Sequence, residues 1–294
     1  SPRMVDKYLA QPGAKDEVVE TIQTATDETL YFFTNRGNCF MLDVTRIPET
    51  MKLKDRGSLL TGLIAGLADH EHAVALVCVK SDEMAKKGDF LFITKNGQVK
   101  RTAAAEYGIR RARFAAINLK GDDELVGMVQ VDPEDKDDII LITQLGMALR
   151  FKLDTVSCTG RATAGVRGID VGKDDEVRWF EIPKAGDMLF VLSDRGFGKR
   201  MLSDDVERQG RAGKGQKLLP MNKTGETGTQ VAVCLNVTGA KSVRVEQKHG
   251  HTVLLNMDEI AVERRASKGQ LLVNVLLDDV VQYGALTAET KDEK

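Results

Sequence analysis

Leu91-Phe92-Ile93-Thr94-Lys95-Asn96-Gly97-Gln98-Val99-Lys100-Arg101 reads as a β-hairpin. An apolar run leads in, Lys95-Asn96-Gly97 reverses the chain, and a second strand leaves carrying Lys100 and Arg101. Asn-Gly supplies the positive φ angles that a two-residue hairpin turn needs. The same form recurs at Phe32-Phe33-Thr34-Asn35-Arg36-Gly37, Leu141-Ile142-Thr143-Gln144-Leu145-Gly146 and Val191-Leu192-Ser193-Asp194-Arg195-Gly196, with a weaker copy at Val245-Glu246-Gln247-Lys248-His249-Gly250. The turn glycines stand at 37, 97, 146, 196 and 250, so the spacings are 60, 49, 50 and 54 residues. A period near fifty with strand-type content in each unit is the signature of a propeller-like repeat array.

Two further elements repeat with the hairpin. An acidic lead-in precedes a strand at Asp16-Glu17-Val18-Val19, Glu71-His72-Ala73-Val74, Asp122-Asp123-Glu124-Leu125, Asp174-Asp175-Glu176-Val177 and Asp278-Asp279-Val280-Val281, with a degenerate copy at Gly225-Glu226-Thr227. Six lead-ins against five hairpins are most simply read as a chain that starts inside a repeat whose hairpin is missing or not included. A basic loop, glycine-containing in all but the second repeat, follows each hairpin: Lys54-Asp55-Arg56-Gly57, Arg110-Arg111-Ala112-Arg113, Gly160 to Gly168, Arg208 to Gly215, and Arg264 to Gly269. Four of these place a glycine (57, 165, 215, 269) 19 or 20 residues after the turn glycine; the second repeat has Arg113 and no glycine. Each unit thus carries about four strands, as in a propeller blade. Residues 58–68, rich in alanine and leucine, are read as strand from their place in the repeat.

Lys+Arg is 42 and Asp+Glu 44, a net charge of −2, which excludes an indiscriminate polycation but not basic residues gathered on one face. Cys39, Cys78, Cys158 and Cys234 are far apart with no CxxC pair, so neither a zinc site nor a disulfide framework is expected. No apolar run approaches the roughly 18 residues of a membrane span, and no signal peptide is visible. A cytoplasmic setting is expected. Residues 1–15 are read as a tag, a linker or the remnant of a first blade, 16–285 as one domain, and 286–294 as a flexible charged tail.

The hairpin with its basic exit strand, the loop Gln209-Gly210-Arg211-Ala212-Gly213-Lys214-Gly215, and Thr163-Ala164-Gly165-Val166-Arg167-Gly168 followed by an acidic lead-in resemble the C-terminal domain of bacterial type IIA topoisomerase A subunits, in DNA gyrase and topoisomerase IV. The resemblance covers roughly residues 16–285. It implies an all-β fold, a β-pinwheel (propeller-like) of five to six four-stranded blades in which neighbours exchange a strand. It also implies a basic rim that binds, bends and wraps double-stranded DNA. The fragment itself would be no enzyme, with the DNA-cleaving tyrosine elsewhere. ATP and Mg would serve only the holoenzyme, and the domain itself would hold no cofactor or metal. Its partners would be the ATPase subunit of a heterotetramer and the N-terminal cleavage domain of its own polypeptide; the isolated domain would be monomeric. Gyrase carries a box Gln-Arg-Arg-Gly-Gly-Lys-Gly in its first blade. Here Ala10 to Lys15 has no arginine, and the nearest match is Gln209 to Gly215, which leaves gyrase and topoisomerase IV both open.

Bending DNA without reading its sequence needs phosphate contacts spaced along a curve. Smooth bending of a short segment costs on the order of 1–6 kcal/mol, so several blades must contribute. The candidates are Arg36, Lys95, Lys100, Arg101, Arg110, Arg111, Arg113, Arg150, Lys152, Arg161, Arg167, Arg195, Lys199, Arg200, Arg208, Arg211, Lys214, Lys217, Arg264, Arg265 and Lys268, with Arg211, Lys214, Lys199 and Arg200 foremost. The pairs His70/His72 and His249/His251 read as solvated turns, and the acidic runs as caps of strand turns rather than a catalytic or Mg site. Trp179 and Phe180 read as core. The rival to DNA binding is a protein-binding propeller scaffold.

Overall fold

The apolar lead strand of each hairpin has a plain structural cause. In the computed structural model, which describes the backbone of residues 4–11, 17–50 and 57–287 and the side chains of 22–50 and 57–287, the first four are inner strands covered on both faces, while the fifth, Ser242–Gln247, alternates buried and half-buried positions. Asp89–Thr94 and Asp138–Thr143 are buried at every position. A strand buried on both faces shows a continuous apolar run rather than alternation.

Five sheets follow one another along the described chain, all antiparallel in their main ladders. The first has the order Ala73–Val79, Thr29–Thr34, Asn38–Asp43, Arg113–Ala115. The second is Leu125–Val131, Asp89–Thr94, Gln98–Ala103, Val166–Arg167. The third is Val177–Glu181, Asp138–Thr143, Met147–Lys152, Gln216–Lys217. The fourth is Val231–Asn236, Met188–Ser193, Phe197–Leu202, Gln270–Leu271. In each, the short outer strand comes from the basic loop of the following repeat. Strand exchange is therefore written into the topology. The fifth sheet, Val281–Leu286, Ser242–Gln247, Thr252–Asn256, has three strands, with no later repeat among the described residues to donate a fourth. Met4–Gln11 pairs with Glu17–Ala25 in a separate two-stranded sheet, so the extra strand near residue 18 belongs to a ribbon.

The chain divides into two compact units, both reached by the expected 16–285 domain: Ser1–Thr94 with Val99–Asp135 and Val156–Val166, and Lys95–Gln98 with Lys136–Thr155 and Arg167–Lys294. In the first, Phe33 meets Phe90, Phe92 and Tyr107, each at 5.6 Å between ring centroids, within a cluster that includes Tyr31, Met84 and Phe114. In the second, Ile140 and Ile142 pack with Leu189 and Val191, while Phe190 and Leu192 pack with Val243 and Val245. Alternate residues of one strand thus serve two cores. Trp179 packs against the first of these clusters, as expected of a core residue.

One element departs from expectation. Leu60–Leu63 is a short helix, not a strand. Leu60, Leu63, Ile64 and Leu67 fall at helical spacing and lie against Leu30, Phe32, Phe40 and Leu42. The corresponding segments of later repeats are drawn out by pairing with the preceding hairpin, and none precedes this one among the described residues. The first basic loop, Lys54-Asp55-Arg56, the proposed tag at 1–3 and 12–15, and the tail at 288–294 lie outside the described residues.

The acidic lead-ins fasten the hairpin turns. The Glu71 carboxylate accepts from Thr34 Oγ1 (2.6 Å), Asn38 Nδ2 (2.7 Å) and the Ala68 amide (3.0 Å). Asp175 accepts from the Leu145 and Glu176 amides, and Asp279 from those of His249 and Val280. The backbone of His70 and His72 bonds the Asn35 side chain in the same manner. Burial alone would push Glu71 up, but its hydroxyl, amide and N–H donors outweigh that and hold it below the usual carboxylate range. Its contribution to stability is therefore present above the unfolded value of about 4.3 and is lost as pH falls through the lower folded value. Thermal melts of Glu71→Gln should run parallel to wild type above that window at a lower Tm. The gap should close as acid protonates Glu71; a gap constant from pH 3 to pH 7 contradicts the assignment.

Candidate nucleic-acid interface

The 21 basic residues expected at a rim separate into two main structural groups, with Lys95, Arg161, Arg211 and Arg265 half-buried between them. The first consists of side chains consumed inside the fold, which corrects their expected place at the surface. Lys100 is 1% exposed. Its Nζ donates to Thr102 Oγ1 (2.6 Å), Tyr107 Oη (3.1 Å) and the Ala116 carbonyl (3.3 Å), and lies over the Phe92 ring. Lys199 is 0% exposed and gives its three protons to the carbonyls of Arg264 (3.0 Å), Arg265 (2.6 Å) and Ser267 (2.5 Å). Burial pushes both ammonium groups down to about 8.

Four residues after the turn glycines stand Arg101, Arg150 and Arg200, and all three serve the framework. Arg101 Nε reaches Asp89 at 2.7 Å, and Arg150 Nε reaches Asp138 at 2.7 Å. Arg200 Nε donates to the Ile260 carbonyl at 2.7 Å. Their own carbonyls accept, each at 2.8 Å, from Thr159, Gln209 and Glu263 at the root of the next basic loop. Arg195 spends its guanidinium on the carbonyls of Val275, Leu276 and Asp279. The basic exit strand, so prominent in the sequence, is a clamp for the following loop. An exit strand reads the same whether its cations face inward or outward, because the groups that enclose them lie on other strands and loops, from 16 residues on for Lys100 and Ala116 to 60 or more for Lys199 and Arg200.

The second group is exposed and belongs mainly to the loops: Arg110, Arg111, Arg113, Arg167, Arg208, Lys214, Lys217, Arg264 and Lys268, with Arg36 and Lys152 on the hairpins. Lys95 is half-buried. Some of the exposed ones are engaged: Arg208 with Asp138 (2.9 Å), Arg167 with Asp170 (3.7 Å), Arg110 with Ser81 (3.3 Å), and Arg113 with the Gly66 carbonyl and the Phe40 ring. Arg36, Arg111, Lys152, Lys214, Lys217, Arg264 and Lys268 make no side-chain hydrogen bond or ion pair among the described residues. Arg161, Arg211 and Arg265 are half-buried and reach back to the preceding loop.

The glycine that recurs 19 residues after the turn also has a packing cause. A Cβ at Gly215 would stand 2.4 Å from the Ala148 carbonyl oxygen, and one at Gly269 2.4 Å from that of Gly198. The donated strand begins at this point and presses against the exit strand. Ala212, inside the loop most like the gyrase box, holds φ of 70°, a conformation that favours glycine.

A propeller-like array of exchanged strands carrying one basic loop per repeat defines the class of protein. The DNA gyrase C-terminal domain, beta-propeller family matches residues 88–132, 137–184 and 187–228. The DNA gyrase A subunit of Deinococcus deserti is 33% identical over 275 residues, 92% of this chain and 33% of the relative. That of Chlamydia trachomatis is 31% identical over 87% of this chain and 30% of the relative. The chain thus spans about a third of the length of these relatives. Among solved structures, the C-terminal domain of DNA topoisomerase IV superposes with a TM-score of 0.85 at 22% identity, covering 97% of this chain and 93% of that one. The DNA gyrase A C-terminal domain superposes with a TM-score of 0.68 at 19% identity, covering 96% and 90%. Over residues 88–228 the chain carries the repeats of the DNA gyrase C-terminal domain, beta-propeller family.

Proposed function

We propose that the exposed loop cations bind double-stranded DNA without reading its sequence and bend it. The full-length polypeptide would use this domain to present a DNA segment to the topoisomerase core, with cleavage, ATP and Mg belonging to the rest of a heterotetramer. The observation that carries this reading is the recurrence of uncommitted cations at matching points of three of the basic loops: Arg111 and Arg264 each stand 14 residues after their turn glycines, and Lys214 and Lys268 each 18, with Lys217 beside them. Lone surface lysines are ordinary solvated charges. A set repeated with the fold is a track of phosphate contacts.

The test is Lys214→Ala, Lys217→Ala, Arg264→Ala and Lys268→Ala combined. Fluorescence anisotropy with a 40-base-pair duplex should show at least tenfold weaker binding. The slope of log K against log salt should fall by about 3 to 4, near 0.9 per phosphate contact removed. The Tm should stay within about 2 °C, since none of these side chains holds the fold. Affinity within twofold of wild type turns the surface over to the protein-scaffold reading.

A further inference from the structure

We propose that Arg161, Arg211 and Arg265 are positioning residues rather than phosphate contacts. Each would lock its basic loop to the outer strand laid down by the loop before it, and so set the spacing of successive loops along the DNA. This rests on the DNA-binding reading above. Arg161 Nη1 donates to the Ala115 carbonyl at 2.5 Å, Arg211 Nη1 to that of Arg167 at 2.6 Å, and Arg265 Nη1 to that of Lys217 at 2.8 Å. Each arginine stands five residues before its own donated strand, at Val166, Gln216 and Gln270. Each acceptor is the last residue of the preceding donated strand. The contact is thus one device used three times.

The chemistry of the acceptors explains it. A donated strand is the outermost of its sheet, so its outward carbonyls have no ladder partner. A guanidinium supplies a charge-assisted donor there, and its planar fork holds a fixed direction. The surroundings make the arginines unlike free phosphate ligands. Arg161 stacks 5.4 Å over Phe114, in the same strand as its acceptor, and its own backbone N–H donates to Glu106 at 2.5 Å. Arg211 has its Nε enclosed by protein. Backbone bonds run beside the Arg161 and Arg211 contacts: Asn118 N–H to Thr163 O at 3.1 Å, Ala212 N–H to Gly168 O at 2.8 Å, and Asp170 N–H to Gly213 O at 2.8 Å. Loop is tied to loop, and the uncommitted cations Lys214, Lys217, Arg264 and Lys268 ride on those ties.

Arg161→Met, Arg211→Met and Arg265→Met together, with Arg211→Met alone as the milder variant, separate locking from direct contact. Amide hydrogen exchange should speed up at least tenfold at Ala212 and Asp170 in both variants. DNA affinity of the triple variant should fall about tenfold and end-to-end energy transfer across a bent duplex should drop, while the salt slope stays at its wild-type value. Unchanged exchange overturns the lock. So does a salt slope reduced by about 0.9 per arginine, which marks phosphate contacts. If the four-site alanine variant above also leaves affinity intact, the DNA reading fails alone, and the exchange rates still decide the lock.

Discussion

Gly196→Ala should destabilise the second unit by about 4 kcal/mol, whereas Gly250→Ala should cost only about 1 kcal/mol. Both glycines are hairpin-turn residues with φ of 83° and 89°, so local strain is the same for each. They differ in what approaches them. A Cβ on Gly196 would stand 2.0 Å from the Val273 carbonyl oxygen, a backbone atom that moves only if the donated strand moves. The Gly196 carbonyl also accepts from the Leu272 amide at 2.8 Å, and Gly37, Gly97 and Gly146 receive the amides of Ala116, Gly168 and Leu218 in the same way. Around Gly250 there is nothing within 4 Å, because the fifth sheet receives no donated strand among the described residues. Thermal melts would show the contrast as a fall of roughly 8–16 °C against 2–4 °C. Equal shifts would mean that the turn glycine serves its turn alone and that the exchanged strand is not seated against it.

Lys199→Met should lower stability at pH 7 by about 1–6 kcal/mol and loosen the loop from Arg264 to Ser267. Three carbonyls lose a charge-assisted donor, each worth about 1.5–3 kcal/mol. Against that, removing a buried ammonium relieves its desolvation, about 3 kcal/mol for a fall from 10.5 to about 8. The donors win because there are three of them. The pH dependence has a definite sign. The folded value lies below the unfolded one, so between about 8 and 10.5 the unfolded chain binds more protons. Wild-type stability therefore rises with pH across that window by this group's share, and Lys199→Met lacks the rise. Denaturant titrations at pH 7, 8.5 and 10 would measure it; a variant that is least destabilised at pH 10 contradicts the assignment. Lys100, pushed down by the same burial, should behave likewise in the first unit.

Much of the fold was legible because its causes are local. Turn glycines need positive φ, lead strands buried on both faces need apolar runs, and turn-capping carboxylates need Asp or Glu beside the strand. Each cause leaves a residue type at a fixed offset, and the offsets repeat. Strand count, the five hairpins and the role of Glu71, Asp175 and Asp279 as caps follow from that alone. The helix at Leu60–Leu63 was misread because the repeat says strand while the leucine spacing says helix, and the deciding factor is whether a preceding hairpin is there to pair with.

The candidate interface was legible only in outline. Sequence by itself determined that basic residues recur with the period of the fold, and that within one repeat Lys199 and Arg200 stand on the exit strand and Arg211 and Lys214 in the basic loop. Only the tertiary structure decided which of those charges face outward. Lys199 is sealed beneath the loop that carries Arg264, Arg200 is spent on Ile260, and Arg211 reaches back to Arg167, while Lys214 stays uncommitted. The physical reason is that the carbonyls consuming Lys199, Arg200 and Arg211 belong to the neighbouring repeat, 44 to 68 residues away. Strand exchange, not local propensity, brings those carbonyls to the lysine or arginine, and a one-dimensional pattern carries no record of which side of a strand its neighbour will cover.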